Sequence, residues 1–131
     1  MKFLNTCKAV ALTALLSIAA LPAMAQSLTT AFDASELSQN GNIFDLTPSK
    51  NLTIESFDIN YESNRSVSLN ATVEVYWRTG TANGFESNAV GWILLGSAAI
   101  VGQPWGSPTA VPIGGLEMTA GQTYGIYIHV V

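Results

Sequence analysis

The fold class is decided by residues 67–77, which read Val-Ser-Leu-Asn-Ala-Thr-Val-Glu-Val-Tyr-Trp. Apolar side chains occupy every odd-numbered position, and the even-numbered positions carry the polar residues together with Tyr76. This period of two predicts a half-buried antiparallel strand with one face on the core and the other in water. The pattern places Glu74 and Tyr76 on the polar face and Trp77 on the core face.

A second alternating stretch precedes this strand at residues 52–61. Its phase slips between Ile54 and Phe57, which predicts a β-bulge at Glu55-Ser56. The polar residues 62–65 predict a turn, so this stretch and residues 67–77 are expected to form a hairpin.

The rest of the chain also indicates strands separated by turns. Further strands are predicted at 41–46, 92–96, 98–101, 110–113 and 123–131. Turns are predicted at Asn40-Gly41-Asn42 and Ala120-Gly121-Gln122, which tolerate positive φ, and loops at 79–91 and 102–108. Only residues 31–38 suggest a helical turn. We therefore expect an all-β chain folded as an antiparallel β-sandwich.

The chain stops on an apolar β-segment without a turn, a cap or a polar tail. Chain ends are normally polar and frayed. Either residues 123–131 form a well-paired terminal strand, or the chain is a truncated form of a longer protein. We predict that this segment pairs with another strand and leaves an open sheet edge, which would favour aggregation.

Residues 1–25 have the pattern of a secretory signal peptide. Lys2 and Lys8 precede or border an apolar run at 9–20, and Ala23-Met24-Ala25 supplies a small-residue cleavage signal. The apolar run is shorter than the ~20 residues that a spanning helix needs. The segment predicts export to the periplasm, the medium or the cell surface, with residues 26–131 as a single domain.

Removal of this leader would change the chemistry that is available. The only cysteine, Cys7, lies within it, so the exported part could form neither a disulfide nor a cysteine metal site. Lys50, Arg65 and Arg78 would remain against all nine acids. Nucleic acid and anionic lipid are poor partners for such a surface, because phosphate binding needs clustered basic residues.

Five segments resemble a domain found near the start of many large secreted or cell-surface bacterial proteins. They are Asn-Gly-Asn-Ile-Phe-Asp-Leu at 40–46, Ile-Glu-Ser-Phe-Asp-Ile at 54–59, Val-Glu-Val-Tyr-Trp-Arg-Thr-Gly at 73–80, Trp-Ile-Leu-Leu-Gly at 92–96, and Leu-Glu-Met-Thr-Ala-Gly-Gln-Thr-Tyr-Gly-Ile-Tyr-Ile at 116–128. The resemblance implies a jelly-roll-like β-sandwich with a surface or matrix role and no established catalytic activity. Similar domains continue past the Tyr-Gly-x-Tyr strand, so this copy is expected to lack its last strands.

Catalysis has little support in the sequence. His129 is the only histidine, and neither a cysteine nucleophile nor a Gly-x-Ser-x-Gly motif accompanies it in the exported part. A glycoside hydrolase needs two carboxyl groups facing each other across the sugar. The acids here are scattered singly, so a hydrolase is the weaker alternative and we expect no enzyme.

A calcium site is a possible cofactor site at the first predicted turn. Asn40, Asn42 and Asp45 cluster there, and oxygen ligands from loops bind calcium in many extracellular domains. No calcium-loop spacing is present, however, and Asn-Gly-Asn is also explained as a turn that Asp45 caps.

Carbohydrate binding is the alternative function, because sugar sites on β-sandwiches use aromatic rings as stacking surfaces. Trp105 lies in a loop flanked by prolines and glycines, and Tyr76 lies on the polar face of its strand. Trp105 is either exposed or folded back over one end of the sandwich, and the usual burial of tryptophan favours the second placement. Trp77 and Trp92 fit core positions.

The sequence thus predicts a secreted or cell-surface, non-enzymatic β-sandwich module with a structural or adhesive role. Its expected partners are extracellular polysaccharide or other surface proteins.

Overall fold

The computed structural model describes residues 26–28, 41–61, 69–104 and 107–131. These residues form eight strands: β1 Gly41–Leu46, β2 Leu52–Ile54, β3 Phe57–Ile59, β4 Asn70–Thr79, β5 Ile93–Val101, β6 Thr109–Val111, β7 Leu116–Met118 and β8 Tyr124–Val130. They contain no helix, which confirms the all-β class, and every pairing between strands is antiparallel. Accordingly, no helix long and apolar enough to cross a membrane occurs in this part of the chain. The predicted leader and the predicted helical turn at 31–38 lie outside the described residues.

Four strands form one sheet in the order β1-β8-β4-β5. The alternation predicted for β4 is confirmed, because Val73 and Val75 are completely buried while Thr72 is exposed on the opposite face. The same alternation runs through β8, where Ile126 and Ile128 are buried. Side chains that pair across the strands share a face, so the core face of the sheet is continuous.

The remaining strands form two short ladders, β2 with β7 and β3 with β6. The predicted phase slip at Glu55-Ser56 is present, but it separates two strands with different partners rather than forming a bulge in one. The backbone N–H of Gly115, just before β7, donates to the carbonyl of Ile54 at the end of β2 at 2.7 Å. This hydrogen bond holds the chain segments that lead from one ladder to the other close together. The predicted hairpin between residues 52–61 and 67–77 is wrong, because β4 pairs with β5 and β8 instead.

One hydrophobic core joins the four-stranded sheet to the two ladders. Its buried members come from β3 to β8 and from the residues after β6: Ile59, Val73, Val75, Ile100, Val111, Ile113, Leu116, Met118, Tyr124, Ile126 and Ile128. Close approach is part of this packing, since a Cβ on Gly96 would lie 3.0 Å from the Ile113 side chain. Burial of apolar area in this core is the main stabilising term.

The terminal segment pairs as predicted, but on both of its sides. Strand β8 lies between β1 and β4, so the open edge expected beside residues 123–131 is not there. The outer strands of the sheet are β1 and β5. The reason is a long-range pairing: β1, the first of the described strands, pairs with the side of β8 that β4 leaves open.

The backbone corrects two local predictions and confirms a third. Gly41 and Asn42 belong to β1 rather than to a turn, and a Cβ on Gly41 would collide with the Ile128 carbonyl oxygen. The strands expected at 92–96 and 98–101 are one strand, β5, in which Leu95 is the extra residue of a bulge between the pairs Val75–Gly96 and Tyr76–Leu94. The turn at Gly121 is confirmed by its φ of 75°.

The close approach of the segments that connect the two ladders predicts that stability is sensitive to substitution at Gly114. A Cβ there would collide with the backbone of Glu55, whereas a Cβ on Gly115 meets open space and only its φ of 86° is unfavourable. We expect Gly114→Ala to lower the free energy of unfolding by ~3 kcal/mol or more and Gly115→Ala by ~1–2 kcal/mol. Urea unfolding of both variants measures the difference, and equal losses would contradict the close approach at Gly114.

Candidate functional site

The solvent-facing side of the four-stranded sheet, here called the outer face, carries a set of aromatic side chains. Alternation places Glu74, Tyr76 and Arg78 of β4 on this face, and Tyr127 and His129 of β8 beside them. The register pairs Glu74 with His129 and Tyr76 with Tyr127. The sheet itself therefore brings polar and aromatic groups together.

Tyr127 is the centre of this group. Its ring stacks on Tyr76 with centroids 6.0 Å apart and on His129 with centroids 5.5 Å apart. Trp92, from the loop before β5, meets the same ring edge-on at 6.0 Å. These four residues are each half-buried and are called the aromatic cluster below. Such offset and edge contacts are the arrangements that aromatic pairs prefer.

A carboxylate is hydrogen-bonded to the aromatic cluster. The Tyr76 hydroxyl donates to Glu74 Oε2 at 2.7 Å. This hydrogen bond raises the pKa of Tyr76 above its ordinary value of 10.0, with smaller contributions from burial and from the nearby negative charge. The cause is that loss of the proton would break the bond and place two negative charges side by side.

The covering loop, residues 81–92, lies over one end of the outer face. Asp45 holds its start, because its carboxylate accepts hydrogen bonds from the Thr81 hydroxyl at 2.6 Å and the Ala82 N–H at 2.7 Å. Gly125 permits this approach, since a Cβ there would lie 2.9 Å from the Ala82 nitrogen. At the other end the Trp92 indole N–H donates to the Phe85 carbonyl at 3.0 Å.

Arg78 lies between the sheet and this loop. Its guanidinium carbon is 3.2 Å from the centroid of the Phe85 ring and 5.9 Å from that of Trp92. Its Nε and Nη1 atoms are buried, and neither has a hydrogen-bond partner in the described structure. The contact with the ring faces is therefore the main compensation for removing this cation from water.

The residues predicted for sugar binding have different outcomes. Tyr76 lies on the outer face as expected and joins the aromatic cluster, whereas Trp105 lies outside the described residues. The base of its loop is fixed by buried Thr109, whose hydroxyl donates to the Tyr61 carbonyl at 2.7 Å and accepts from Gln103 N–H at 3.0 Å. The core position expected for Trp92 is wrong, because its ring contacts Tyr127 on the outer face.

The residues predicted for calcium are not brought together. Asn40 lies outside the described residues. Asn42 and Asp45 are three positions apart in β1 and so point to opposite faces of the sheet, and Asp45 is committed to the covering loop rather than to its own turn. In the described ranges no three residues of the His, Cys, Asp and Glu types are grouped as a metal would require.

Sequence reasoning missed three members of the aromatic cluster, although part of the signal was present. The alternation of β8 places Tyr127 and His129 opposite Ile126 and Ile128, so their common face could have been found. The neighbourhood with β4 could not, because it depends on a pairing between strands far apart in the chain. The position of Trp92 could not be found either, because it depends on the path of the covering loop.

Comparison of the chain with protein-family models, with curated proteins and with solved structures finds no match in any of the three. The resemblance to the bacterial surface domain therefore stays a prediction.

The Glu74–Tyr76 hydrogen bond predicts a measurable titration. Tyr76 should ionise above pH 10.0, and the stabilisation that this bond gives should be complete below pH 10.0 and be lost as the pH rises through the pKa of folded Tyr76. Ultraviolet difference spectroscopy follows the transition, and Tyr76→Phe identifies it among the four tyrosines.

Glu74→Gln should lower the pKa of Tyr76 towards 10.0, because the negative charge that opposes ionisation is gone. Glu117→Gln, at the exposed residue of β7, is the matched control and should leave the pKa of Tyr76 unchanged. If the pKa of Tyr76 is the same in Glu74→Gln as in the wild type, the hydrogen bond to Glu74 is not what raises it.

Proposed function

We propose that this chain is an exported, non-enzymatic β-sandwich module with a structural or adhesive role at a bacterial surface. The leader pattern of residues 1–25 and the excess of acids over basic residues support export and argue against nucleic-acid partners. The four-stranded sheet and the two short ladders would be the two layers of the sandwich, which fits their shared core.

Carbohydrate binding is the second candidate function, and it would give the adhesive role a mechanism. The observation that favours it is the aromatic cluster, which is half-buried on the outer face of the sheet. Ring surfaces stack well on the apolar faces of sugars, and Glu74 lies beside them as an acceptor for hydroxyl groups.

The packing of the rings also supports a binding role. Each ring of the aromatic cluster is held by its neighbours, so little side-chain freedom remains to be lost when a ligand binds. Because the rings of Tyr76, Tyr127 and His129 partly stack on one another, the surface left for a ligand consists of ring edges and outer ring faces. Such a surface fits an extended polysaccharide better than a single enclosed sugar.

A glycoside hydrolase remains the weaker alternative. Both acids on the outer face have local partners, since Glu74 accepts from Tyr76 and Asp45 accepts from the covering loop. A carboxyl pair for sugar hydrolysis has to face the ligand with a gap between the groups. These hydrogen bonds favour positioning roles for the two acids.

Binding to insoluble polysaccharides and to a glycan array tests the sugar hypothesis. We expect Trp92→Ala to weaken binding about fivefold or more, since stacking on one ring contributes on the order of 1 kcal/mol or more. Thr72→Ala, exposed on the same face but away from the rings, is the matched control. Unfolding curves show whether each variant is folded.

Three outcomes would contradict this site. One is that no polysaccharide binds, and another is that Trp92→Ala binds as well as Thr72→Ala. The third is that only Trp105→Ala abolishes binding, which would place the site on residues 102–108. Turnover of a polysaccharide that disappears when one acid is replaced would contradict the non-enzymatic role itself.

A further inference from the structure

The free edge of β5 differs from an ordinary sheet edge. Strand β5 is the last strand of the four-stranded sheet, and in the described ranges no strand pairs with its outer side. It has nine residues, against a usual strand length of ~5–6. Proteins normally protect such edges with charges, prolines or short strands. Here the bulge at Leu95 is the only such device within the strand.

The edge is uncharged over its whole length, and Ser97 is its only polar side chain. Ile93 and Leu94 are each 51% exposed and Val101 is 48% exposed. No Asp, Glu, Lys, Arg or His occurs in the sequence between Glu86 and Glu117. The chain as a whole carries a net charge of −4, so two copies repel one another at a distance, and the uncharged edge is a surface where they can meet without direct contacts between like charges.

We propose that β5 pairs with β5 of a second copy of this chain, antiparallel across a two-fold axis perpendicular to the sheet, to form one continuous eight-stranded sheet. A second copy fits better than a charged partner, because the uncharged strand then meets an equally uncharged strand and no charge of the partner is buried without a counter-charge. Isologous two-fold contacts are also the commonest way in which identical chains associate.

The bulge selects the register. The regular part of β5 begins after Leu95, and side chains directly opposite in an antiparallel pair must share a face. A register centred on Ala99 keeps the bulge outside the paired segment and places Ser97 opposite Val101 of the second copy. The small side chain of Ala99 then lies at the centre of the contact with Ala98 next to it, where they leave the backbones free to approach.

The size of the contact predicts a weak dimer. The five paired residues, 97–101, span ~17 Å, so the edge buries on the order of 200 Å² per copy, which is below the ~800 Å² of a stable interface. Association should therefore be reversible and depend on protein concentration.

The dimer has a consequence for the outer face. A two-fold axis perpendicular to the sheet places both outer faces on the same side, with the two β4 strands three strand spacings apart, ~14 Å. The aromatic clusters of both copies would then face one surface and could bind one polymer at two points. The pairing itself does not depend on sugar binding and is tested separately.

Sedimentation velocity over a concentration series tests the pairing on the full chain. The wild type should shift from monomer towards dimer as concentration rises, and Ala99→Lys should weaken association tenfold or more, because two lysines would then lie opposite each other. Thr72→Lys is the matched control: Thr72 is the exposed partner of Ala99 on β4, so the charge change is the same but lies away from the edge.

Cross-linking keeps the proposal testable should Ala99→Lys fail to fold. In a Cys7→Ser background, Ala99→Cys should form a disulfide-linked dimer on oxidation, since directly opposite residues lie within the Cα distance of ~4.4–6.8 Å that a disulfide needs. Ser97→Cys and Thr72→Cys should not. The proposal is overturned by a wild type that stays monomeric at all concentrations, by equal effects of the two lysine variants, or by equal cross-linking at residues 72 and 99.

Discussion

The pairing of β8 on both of its sides is the constraint on which the rest of the structure depends. This strand joins β1 through one set of hydrogen bonds and β4 through the other, so its removal would divide the sheet. Its two faces have separate roles. Ile126 and Ile128 are buried in the core, whereas Tyr127 and His129 lie on the outer face. Because the backbone groups of a buried strand must be paired, both neighbours are needed to keep it there.

The candidate site follows from this arrangement. The β8–β4 register places Tyr127 beside Tyr76, and the β1–β8 register places Asp45 beside Gly125, where the covering loop approaches the sheet. The loop then brings Trp92 to the Tyr127 ring and Phe85 to Arg78. A larger residue at Gly125 would therefore act on the loop and on Arg78 together, since a Cβ there would lie 2.9 Å from both the Ala82 nitrogen and the Arg78 side chain.

The sequence was sufficient where local pattern decides the outcome, and insufficient where distant segments meet. Alternation predicted β1, β4 and the terminal strand, with Tyr76 on the outer side. Alternation could not show which distant strands pair, such as β1 with β8. The strands around 52–61 and 67–77 were therefore assigned to a hairpin that does not form. Strand β7, with three residues after two glycines, was too short to be predicted. Trp92 was misplaced because its position depends on the covering loop rather than on alternation.

Amide hydrogen exchange along the chain, measured by NMR, tests the central position of β8 most directly. If β8 is hydrogen-bonded on both sides, the amides of Ile126 and Ile128 should exchange only through global unfolding, and more slowly than the amides of β5 that face its free edge. Exchange of the β8 amides that is as fast as exchange at the β5 edge would show that the strand is not held between two neighbours, and would contradict both the sheet order and the site built on it.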